Sequence, residues 1–153
     1  MKEFKFEEIQ EDHSEEIFTL QKRNSSDFGG NIWKTLELKK IKKKKDFKGK
    51  VFKEKKKIYG FCFFRRIDDY IEIYSIFVDP MFRKKGIADH LMKHCINYCK
   101  TNYLKKIIID VNEGNFQAIS FYRKNNFIFC GRRKNYYTNS GQSNDSYSMH
   151  LIF

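Results

Sequence analysis

One stretch constrains this chain more than any other, Tyr74–Leu91, which reads YSIFVDPMFRKKGIADHL. An apolar strand is predicted to end at Val78, Asp79-Pro80 interrupts it, and a helix is predicted to begin at Gly86. The first amides of a helix have no partner inside the helix and lie at the positive end of its dipole. A strand, a basic loop and a helix start in this order therefore predict a small concavity that binds an anion.

The loop before that helix carries three cations, Arg83, Lys84 and Lys85. They add Coulomb attraction for a group of the size of a diphosphate, and Gly86 and Ala88 have almost no side chain to keep a ligand away from the backbone. The loop contains a single glycine, so it matches neither the dinucleotide-binding pattern G-x-G-x-x-G nor the P-loop pattern G-x-x-x-x-G-K.

Two further segments accompany the loop: Asp110–Phe127, DVNEGNFQAISFYRKNNF, and Arg132–Leu151, RRKNYYTNSGQSNDSYSMHL. Arg83-x-x-Gly86-x-Ala88 resembles the acetyl-CoA signature R/Q-x-x-G-x-G/A of the GNAT acyltransferases. The second segment resembles the motif N-x-x-A-x-x-x-Y-x-K-x-G-F of the same superfamily. The third is similar to the tail of the RimI-type protein N-terminal alanine acetyltransferases. Together the three segments cover about half of the chain.

Hydrophobic periodicity predicts the elements of an α/β fold. The predicted strands are residues 2–9, 47–54, 58–67, 70–78, 105–111, a strand from 127 and 146–152. The predicted helices run from Asp12 to Arg23, over the segment holding Ile32 to Ile41, from Ile87 to Tyr103, and from Gly114-Asn115 to Asn125. The resemblance implies one GNAT-like domain over residues 1–153. Its central sheet is expected to be mixed and mostly antiparallel, with six or seven strands flanked by four helices, and splayed between the fourth and fifth strands.

The resemblance also implies acetyl-CoA as the cofactor and coenzyme A as a product. It places the pantetheine arm in the gap between the splayed strands and the diphosphate on the basic loop. The cofactor contacts that it implies are Ile76, Phe77, Val78, Arg83, Lys84, Lys85, Gly86, Ile87, Ala88, Asp89 and Asn115.

Acetyl transfer from a thioester to an amine requires a neutral amine and a proton donor for the departing thiolate. Tyr122 matches the tyrosine of the second motif, which implies a general acid, and a phenol with a pKa near 10 suits that thiolate. Asp110 falls where RimI-type enzymes carry a glutamate that acts as general base. It is shorter by one methylene, about 1.5 Å, and could act through a water. Glu113 and, less favourably, His150 are alternative bases, and a purely structural role for Asp110 or Tyr122 stays open.

Acceptor contacts are predicted at four aromatic residues. Phe28 and Trp33 fall in the segment that helps wall the acceptor site in such enzymes, although plain packing explains them equally well. Tyr136 and Tyr137 lie in a polar loop, where adjacent exposed aromatics have no structural advantage. The resemblance implies that they clamp the acceptor's peptide backbone.

The net charge of +12 is concentrated in Lys39–Lys57, where twelve lysines face two acids. This run could steer a polyanion such as the ribosome or an acidic partner, or it could be a solvated face. No apolar segment reaches the ~18 residues of a membrane span, and the N-terminal segment is acidic where a leader would be apolar. A cytoplasmic protein is therefore expected. The four cysteines form no C-x-x-C pair and are expected to be small core residues. His90 and His94 are predicted to face away from them, and no metal site is expected.

The sequence therefore predicts an acetyl-CoA-dependent N-acetyltransferase acting on a protein N-terminal α-amine, as in the acetylation of a ribosomal protein's alanine. Two alternatives remain open. The acceptor could be another amine, such as a lysine, a polyamine or an aminated small molecule. The chain could instead be a non-catalytic module that binds coenzyme A or RNA.

Overall fold

The computed structural model describes residues 2–28, 31–134 and 145–153. The strands are β1 Phe4–Glu8, β2 Phe47–Glu54, β3 Lys57–Ile67, β4 Tyr70–Val78, β5 Lys106–Asn112, β6 Ile128–Arg133 and β7 Ser146–Ile152. The α-helices are α1 Ser14–Arg23, α2 Thr35–Lys42, α3 Ile87–Thr101 and α4 Phe116–Lys124. Short 3-10 turns occupy Glu11–His13, Ser25–Phe28 and Pro80–Phe82.

The seven strands form one sheet in the order β1-β2-β3-β4-β5-β7-β6. Only β4 and β5 are parallel neighbours, and the other pairs are antiparallel. A mixed and mostly antiparallel sheet with four helices confirms the predicted α/β fold.

The sheet is covered by helices on both faces, which explains the nearly continuous apolar run of β3. Alternate β3 residues such as Phe61 and Phe63 belong to the core shared with α1 and α2. Cys62 and Phe64 point into the core shared with α3 and α4. A strand with both faces buried reads as an unbroken hydrophobic segment rather than an alternating one.

Two helix starts differ from the prediction. The first helix begins at Ser14 rather than at Asp12, because a 3-10 turn comes first, in which the backbone N–H of Gln10 donates to Nδ1 of His13 at 2.9 Å. The second helix begins at Thr35, two residues after Trp33. Trp33 stays outside because its backbone is bonded to a side chain of α1, described below.

The cysteine prediction is right for three residues and wrong for the fourth. Cys62, Cys95 and Cys99 are buried, whereas Cys130 is exposed. Cys130 lies on β6, the last strand of the sheet, where five of six residues are exposed. Because β6 is the edge strand of the sheet, it has a neighbouring strand on one side only, and its side chains are mostly exposed.

The two histidines of α3 differ in exposure: His90 is exposed, and His94 is half-buried. His90 stacks on Phe6 with ring centroids 3.6 Å apart, and His94 packs against Phe64 at 6.0 Å. Within the residues that the structure describes, no three metal-binding side chains come together. No helix in that part of the chain is long and apolar enough to cross a membrane.

Candidate active site

The sheet divides between β4 and β5. The two strands pair only from Tyr70 opposite Lys106 to Ile73 opposite Ile109. Beyond that point residues 74–78 and 110–112 have no ladder between them. The predicted splay between the fourth and fifth strands is confirmed, and it exposes backbone amides and carbonyls on both walls of a cleft.

A β-bulge accounts for the division. On β3, Phe63 and Phe64 are consecutive, yet their partners on β4 are Ser75 and Ile73, so Tyr74 is an extra residue. A bulge bends its strand and increases the local twist. β4 therefore turns away from β5 immediately after the last paired residue.

The cleft holds a cavity of about 1230 Å³. Its walls come from both splayed strands, the starts of α3 and α4, and the segment between α1 and α2. Pockets for one drug-sized ligand range from ~300 to ~1,000 Å³. The volume is therefore sufficient for an elongated ligand with a second molecule beside it.

One end of the cleft contains the helix start at which the sequence predicts an anion site. α3 begins after Gly86, whose φ of +80° is left-handed. A Cβ on Gly86 would meet nothing within 4 Å, so the backbone conformation rather than space selects glycine there. Asp79 caps the 3-10 turn that leads to this helix, because its Oδ1 accepts from the Met81 N–H at 2.9 Å. The first amides of α3 are left for a ligand.

The charges around this helix start are partly paired. Asp89 lies in the first turn of α3 and accepts two hydrogen bonds from Lys124 of α4, at 3.3 and 3.1 Å. This pair offsets the negative charge of Asp89 at the anion site and joins the two helices that flank the cleft. Among the described residues, Lys84 has no ion-pair partner and its φ is +59°.

Arg83 contacts the wall of the cleft rather than pointing freely to solvent. Its Nε donates to the Val78 carbonyl at 3.0 Å, and its Nη2 donates to Asp27 Oδ2 at 3.1 Å. The guanidinium also lies over the Phe77 ring, 5.3 Å from the centroid. Arg83 thus links the basic loop to the turn between α1 and α2, on which Phe28 packs against Phe77 at 4.6 Å.

Asp110 directly follows Ile109, the last residue of β5 that pairs with β4, and it borders the cavity. Its side chain is 8% exposed, and Arg133 Nη1 lies 3.5 Å from Oδ2. Oδ1 is buried, with no hydrogen-bond partner in the described parts of the chain. Burial and the negative charge of Asp110 together raise the pKa of Glu72 on β4. A carboxylate with one acceptor oxygen that has no partner among the described residues therefore belongs to a residue that borders the cleft.

Tyr122 borders the same cavity from α4 and is 5% exposed. Its ring packs against Phe121 and Phe127, with centroids 5.6 Å away in each case. Asn115 caps α4 by accepting from the Ala118 N–H at 3.1 Å. The cap fixes the start of the helix that carries the phenol.

The two alternative bases do not border the cavity. Glu113 Oε2 is 2.8 Å from Arg132 Nη2, which also lies 2.6 Å from Asp145. His150 Nε2 lies 3.1 Å from the Ser148 hydroxyl. Burial, the largest cause, lowers the pKa of His150. Of the three titratable candidates, the geometry favours Asp110.

Trp33 and Phe28 both border the cavity, with Tyr74 as a third aromatic wall residue. The Trp33 and Tyr74 rings stack at 5.6 Å with an interplanar angle of 15°. Gln21 of α1, wholly buried, holds the Trp33 backbone. The Trp33 N–H donates to Gln21 Oε1 at 2.8 Å, and Gln21 Nε2 donates to the Trp33 carbonyl at 3.1 Å.

The structure brings most of the predicted residues to one cavity. Those that border it are Phe28, Trp33, Ile76, Phe77, Val78, Arg83, Lys84, Gly86, Ile87, Ala88, Asp89, Asp110, Asn115 and Tyr122. Lys85 does not border it, and its Nζ lies over the Phe82 ring at 5.4 Å. Tyr136 and Tyr137 lie outside the described residues.

Tyr74 and Gln21 were missed by the sequence analysis. The alternation of β4 could have placed Tyr74 on one face of the sheet. No local pattern identifies Gln21, because its partner is twelve residues away in a loop.

A family model described as "Acetyltransferase (GNAT) family" matches residues 7–127 of the chain. The chain belongs to this family. The splayed strands and the cleft between them thus belong to a GNAT acetyltransferase fold.

Curated relatives of this GNAT protein include bacterial protein N-acetyltransferases. A putative [ribosomal protein bS18]-alanine N-acetyltransferase of Bacillus subtilis is 28% identical over 83 residues, 54% of this chain and 55% of the relative. The Salmonella typhimurium [ribosomal protein bS18]-alanine N-acetyltransferase is 29% identical over 83 residues, 54% of this chain and 56% of its own length. The chain spans about half the length of the curated relatives it matches.

Solved structures share the fold over nearly the whole chain. The ribosomal-protein-S18-alanine N-acetyltransferase of Escherichia coli has a TM-score of 0.85 at 17% identity, covering 98% of this chain and 94% of that one. Arabidopsis thaliana NAA60, in complex with a bisubstrate analogue, has a TM-score of 0.83 at 18% identity, covering 98% of both chains. At these identities the likeness concerns the fold.

Proposed function

We propose that this GNAT protein transfers the acetyl group of acetyl-CoA to the α-amine of a protein N-terminus, with Asp110 as general base and Tyr122 as general acid. One observation supports this most. Asp110, whose Oδ1 has no hydrogen-bond partner among the described residues, and Tyr122 border one cavity, which begins at a helix start with basic residues.

Acetyl-CoA would lie along the cleft, with its diphosphate at the amides of Gly86 to Asp89 and its pantetheine arm against the free edge of β4. The amides of Ile76 and Val78 belong to the stretch of β4 that has no partner on β5. An extended ligand arm can bond to such an edge as a further strand would. Family membership and the fit of these features support acetyl-CoA as the cofactor.

The chemistry that we propose is direct transfer. Asp110 accepts a proton from the acceptor amine, and the nitrogen attacks the thioester carbonyl. The new C–N bond forms as the C–S bond breaks, and Tyr122 gives its proton to the departing thiolate. The products are an acetylated amine and coenzyme A, and the two side chains then exchange protons with solvent.

The basicity of the acceptor favours an α-amine. With a pKa near 7.7–8.0, about 10% of α-amines are neutral at pH 7, against about 0.04% of lysine amines with a pKa near 10.4. Bringing an α-amine to its neutral form at pH 7 therefore costs less free energy than neutralising a lysine amine. Two curated relatives are named as [ribosomal protein bS18]-alanine N-acetyltransferases, one of them as putative, and these names support a protein acceptor for this chain.

The test measures free thiol released from acetyl-CoA by the purified protein. We expect release with an alanine-initiated peptide and none with the same peptide blocked at its N-terminus. Turnover of spermidine, or of a lysine side chain in the blocked peptide, would refute the proposal that the acceptor is an α-amine. The acceptor would then be another amine. Stabilisation by acetyl-CoA with no turnover of any amine would favour a non-catalytic module that binds coenzyme A.

Two variants test the roles in the chemistry. Asp110→Asn and Tyr122→Phe should each lower kcat about 100-fold, the usual contribution of one acid or base, while the Kd of acetyl-CoA stays nearly unchanged. Tyr98→Phe is the matched control. Tyr98 lies on α3, packs against Phe64 of β3 and does not border the cavity. An unchanged kcat in Tyr122→Phe would remove that residue from the mechanism.

A further inference from the structure

The lysine-rich run Lys39–Lys57 is divided by the fold into two separate surfaces. Lys57 lies at the β2–β3 turn, where its Nζ is 5.5 Å from the Tyr59 ring, and Tyr59 packs on Phe82 of the basic loop at 4.5 Å. Lys44 and Lys45 lie between α2 and the start of β2, at the opposite end of that strand. The run is therefore not one patch.

The second surface, here named the basic end, is formed where several strands and α3 meet. The start of β2 lies beside the end of β3, because the Arg66 N–H donates to the Asp46 carbonyl at 2.8 Å. The start of β5 lies beside the start of β4, because the Lys105 N–H donates to the Asp69 carbonyl at 2.6 Å. The basic end comprises Lys44, Lys45, Lys48, Arg66, Lys100 and Lys106.

The positive charge of the basic end is not neutralised locally. Within the described ranges, none of its six cations makes an ion pair. Two acids at this end pair with cations outside the set: Asp46 pairs with Arg65 at 2.7 Å, and Asp69 pairs with Lys105 at 2.8 Å. Six cations thus share one side of the molecule with Asp68 and with the two acids Asp46 and Asp69, which are already paired. This is the electrostatic pattern of a surface that binds a polyanion.

An exposed aromatic residue lies among the cations of the basic end. Tyr103 is 92% exposed, in the turn between α3 and β5, with Lys100 before it and Lys106 after it. Its φ of +55° is unusual for a bulky side chain. A chain of lysines alone would be explained as a solvated surface, but a tyrosine presented to solvent among them adds a flat stacking surface.

We propose that the basic end binds single-stranded nucleic acid, with phosphates on its cations and a base stacked on Tyr103. Proteins that bind single strands combine a positive groove with aromatic side chains that stack on bases. From β2 to β5 the surface is three strand spacings wide, roughly 14 Å, which accommodates a few nucleotides. An acidic protein surface would use the cations and leave Tyr103 without a role.

The proposed surface is remote from the cleft and independent of the transferase proposal. Tyr70 begins β4 at the basic end, and Val78 ends it beside the anion site, roughly 26 Å away. Nucleic acid and acetyl-CoA should therefore bind together without competing.

Fluorescence anisotropy of a labelled oligouridylate of about 12 nucleotides provides the test, with an oligothymidylate of equal length to compare RNA with DNA. Tyr103→Ala should weaken binding of the single strand about tenfold, and Tyr103→Phe should preserve it. The double variant Lys44→Ala/Lys45→Ala should lower the slope of log affinity against log salt by about 1.4. If Tyr103→Ala weakens the binding of oligouridylate and oligothymidylate by the same factor, the surface binds both single-stranded RNA and single-stranded DNA.

The matched controls lie at the other end of the molecule. Phe116→Ala removes an aromatic residue that is 77% exposed, and Lys56→Ala/Lys57→Ala removes two lysines of the same run. Neither should alter binding, and every variant should retain the Kd of acetyl-CoA. Loss of binding in the Lys56/Lys57 variant, or no effect of Tyr103→Ala, would overturn the proposal. Equal affinity for polyglutamate would instead identify an acidic protein as the partner.

Discussion

Replacing Gln21 by leucine tests how the aromatic wall of the cleft is held. The side chain of Gln21 bonds to both the N–H and the carbonyl of Trp33 and is wholly buried. Leucine has a similar volume but no polar atoms, so the substitution leaves both backbone groups of Trp33 unpaired. Each unpaired buried group costs about 1–3 kcal/mol, and the added apolar burial returns about 1–2 kcal/mol.

The net expected loss is about 2 kcal/mol in the free energy of unfolding. For a chain of 153 residues this corresponds to a decrease of about 4–8 °C in Tm. Trp33 is the one tryptophan in the sequence, and it stacks on Tyr74, so its fluorescence reports directly on this contact. We expect a red-shifted emission from the folded variant and a raised KM for the acceptor.

Thermal unfolding followed by Trp33 fluorescence measures both effects in one experiment. Asn24→Ala is a suitable control, because Asn24 bonds from the same helix end to the Leu20 carbonyl at 3.0 Å and does not contact Trp33. If Gln21→Leu kept the wild-type Tm and emission maximum, the two hydrogen bonds would not position the wall.

Three further predictions concern the backbone and pH. Gly49→Ala should lower stability by more than about 2 kcal/mol in urea unfolding, because its Cβ would lie 2.5 Å from the Cys62 carbonyl oxygen; full stability would show that β2 and β3 can separate cheaply. Gly86→Ala should cost about 1–2 kcal/mol through its positive φ alone and weaken acetyl-CoA binding measured by calorimetry, and an unchanged Kd would contradict the proposed anion site. Burial lowers the pKa of His94 below its ordinary 6.5, so the unfolded chain takes up the proton first. The stability is therefore present above pH 6.5 and is lost as the pH falls through and below that value. His94→Phe should reduce the decrease in Tm between about pH 7.5 and about pH 5.5.

The sequence predicted the elements best where the pattern is local. The bounds of β2, β4 and β7 agree with the prediction, because strand alternation and turn residues mark their ends. The start of α3 was also predictable, since Gly86 and the basic loop before it form a local signature.

Predictions were weaker where distant contacts decide the structure. The side-chain bonds of Gln21 and of Arg83 join residues 12 and 56 positions apart. The exposure of Cys130 follows from the last position of β6 in the sheet, which depends on the order of all seven strands. Periodicity within a window contains none of this information.

The extra residue at Tyr74 has a consequence for variation in this fold. Because the gap between β4 and β5 arises from one additional backbone unit, its opening depends on residue count more than on residue type. Substitutions along the walls can change which molecules fit while the gap stays open. Loss of one residue from β4 would instead allow β4 and β5 to continue pairing and would close the gap.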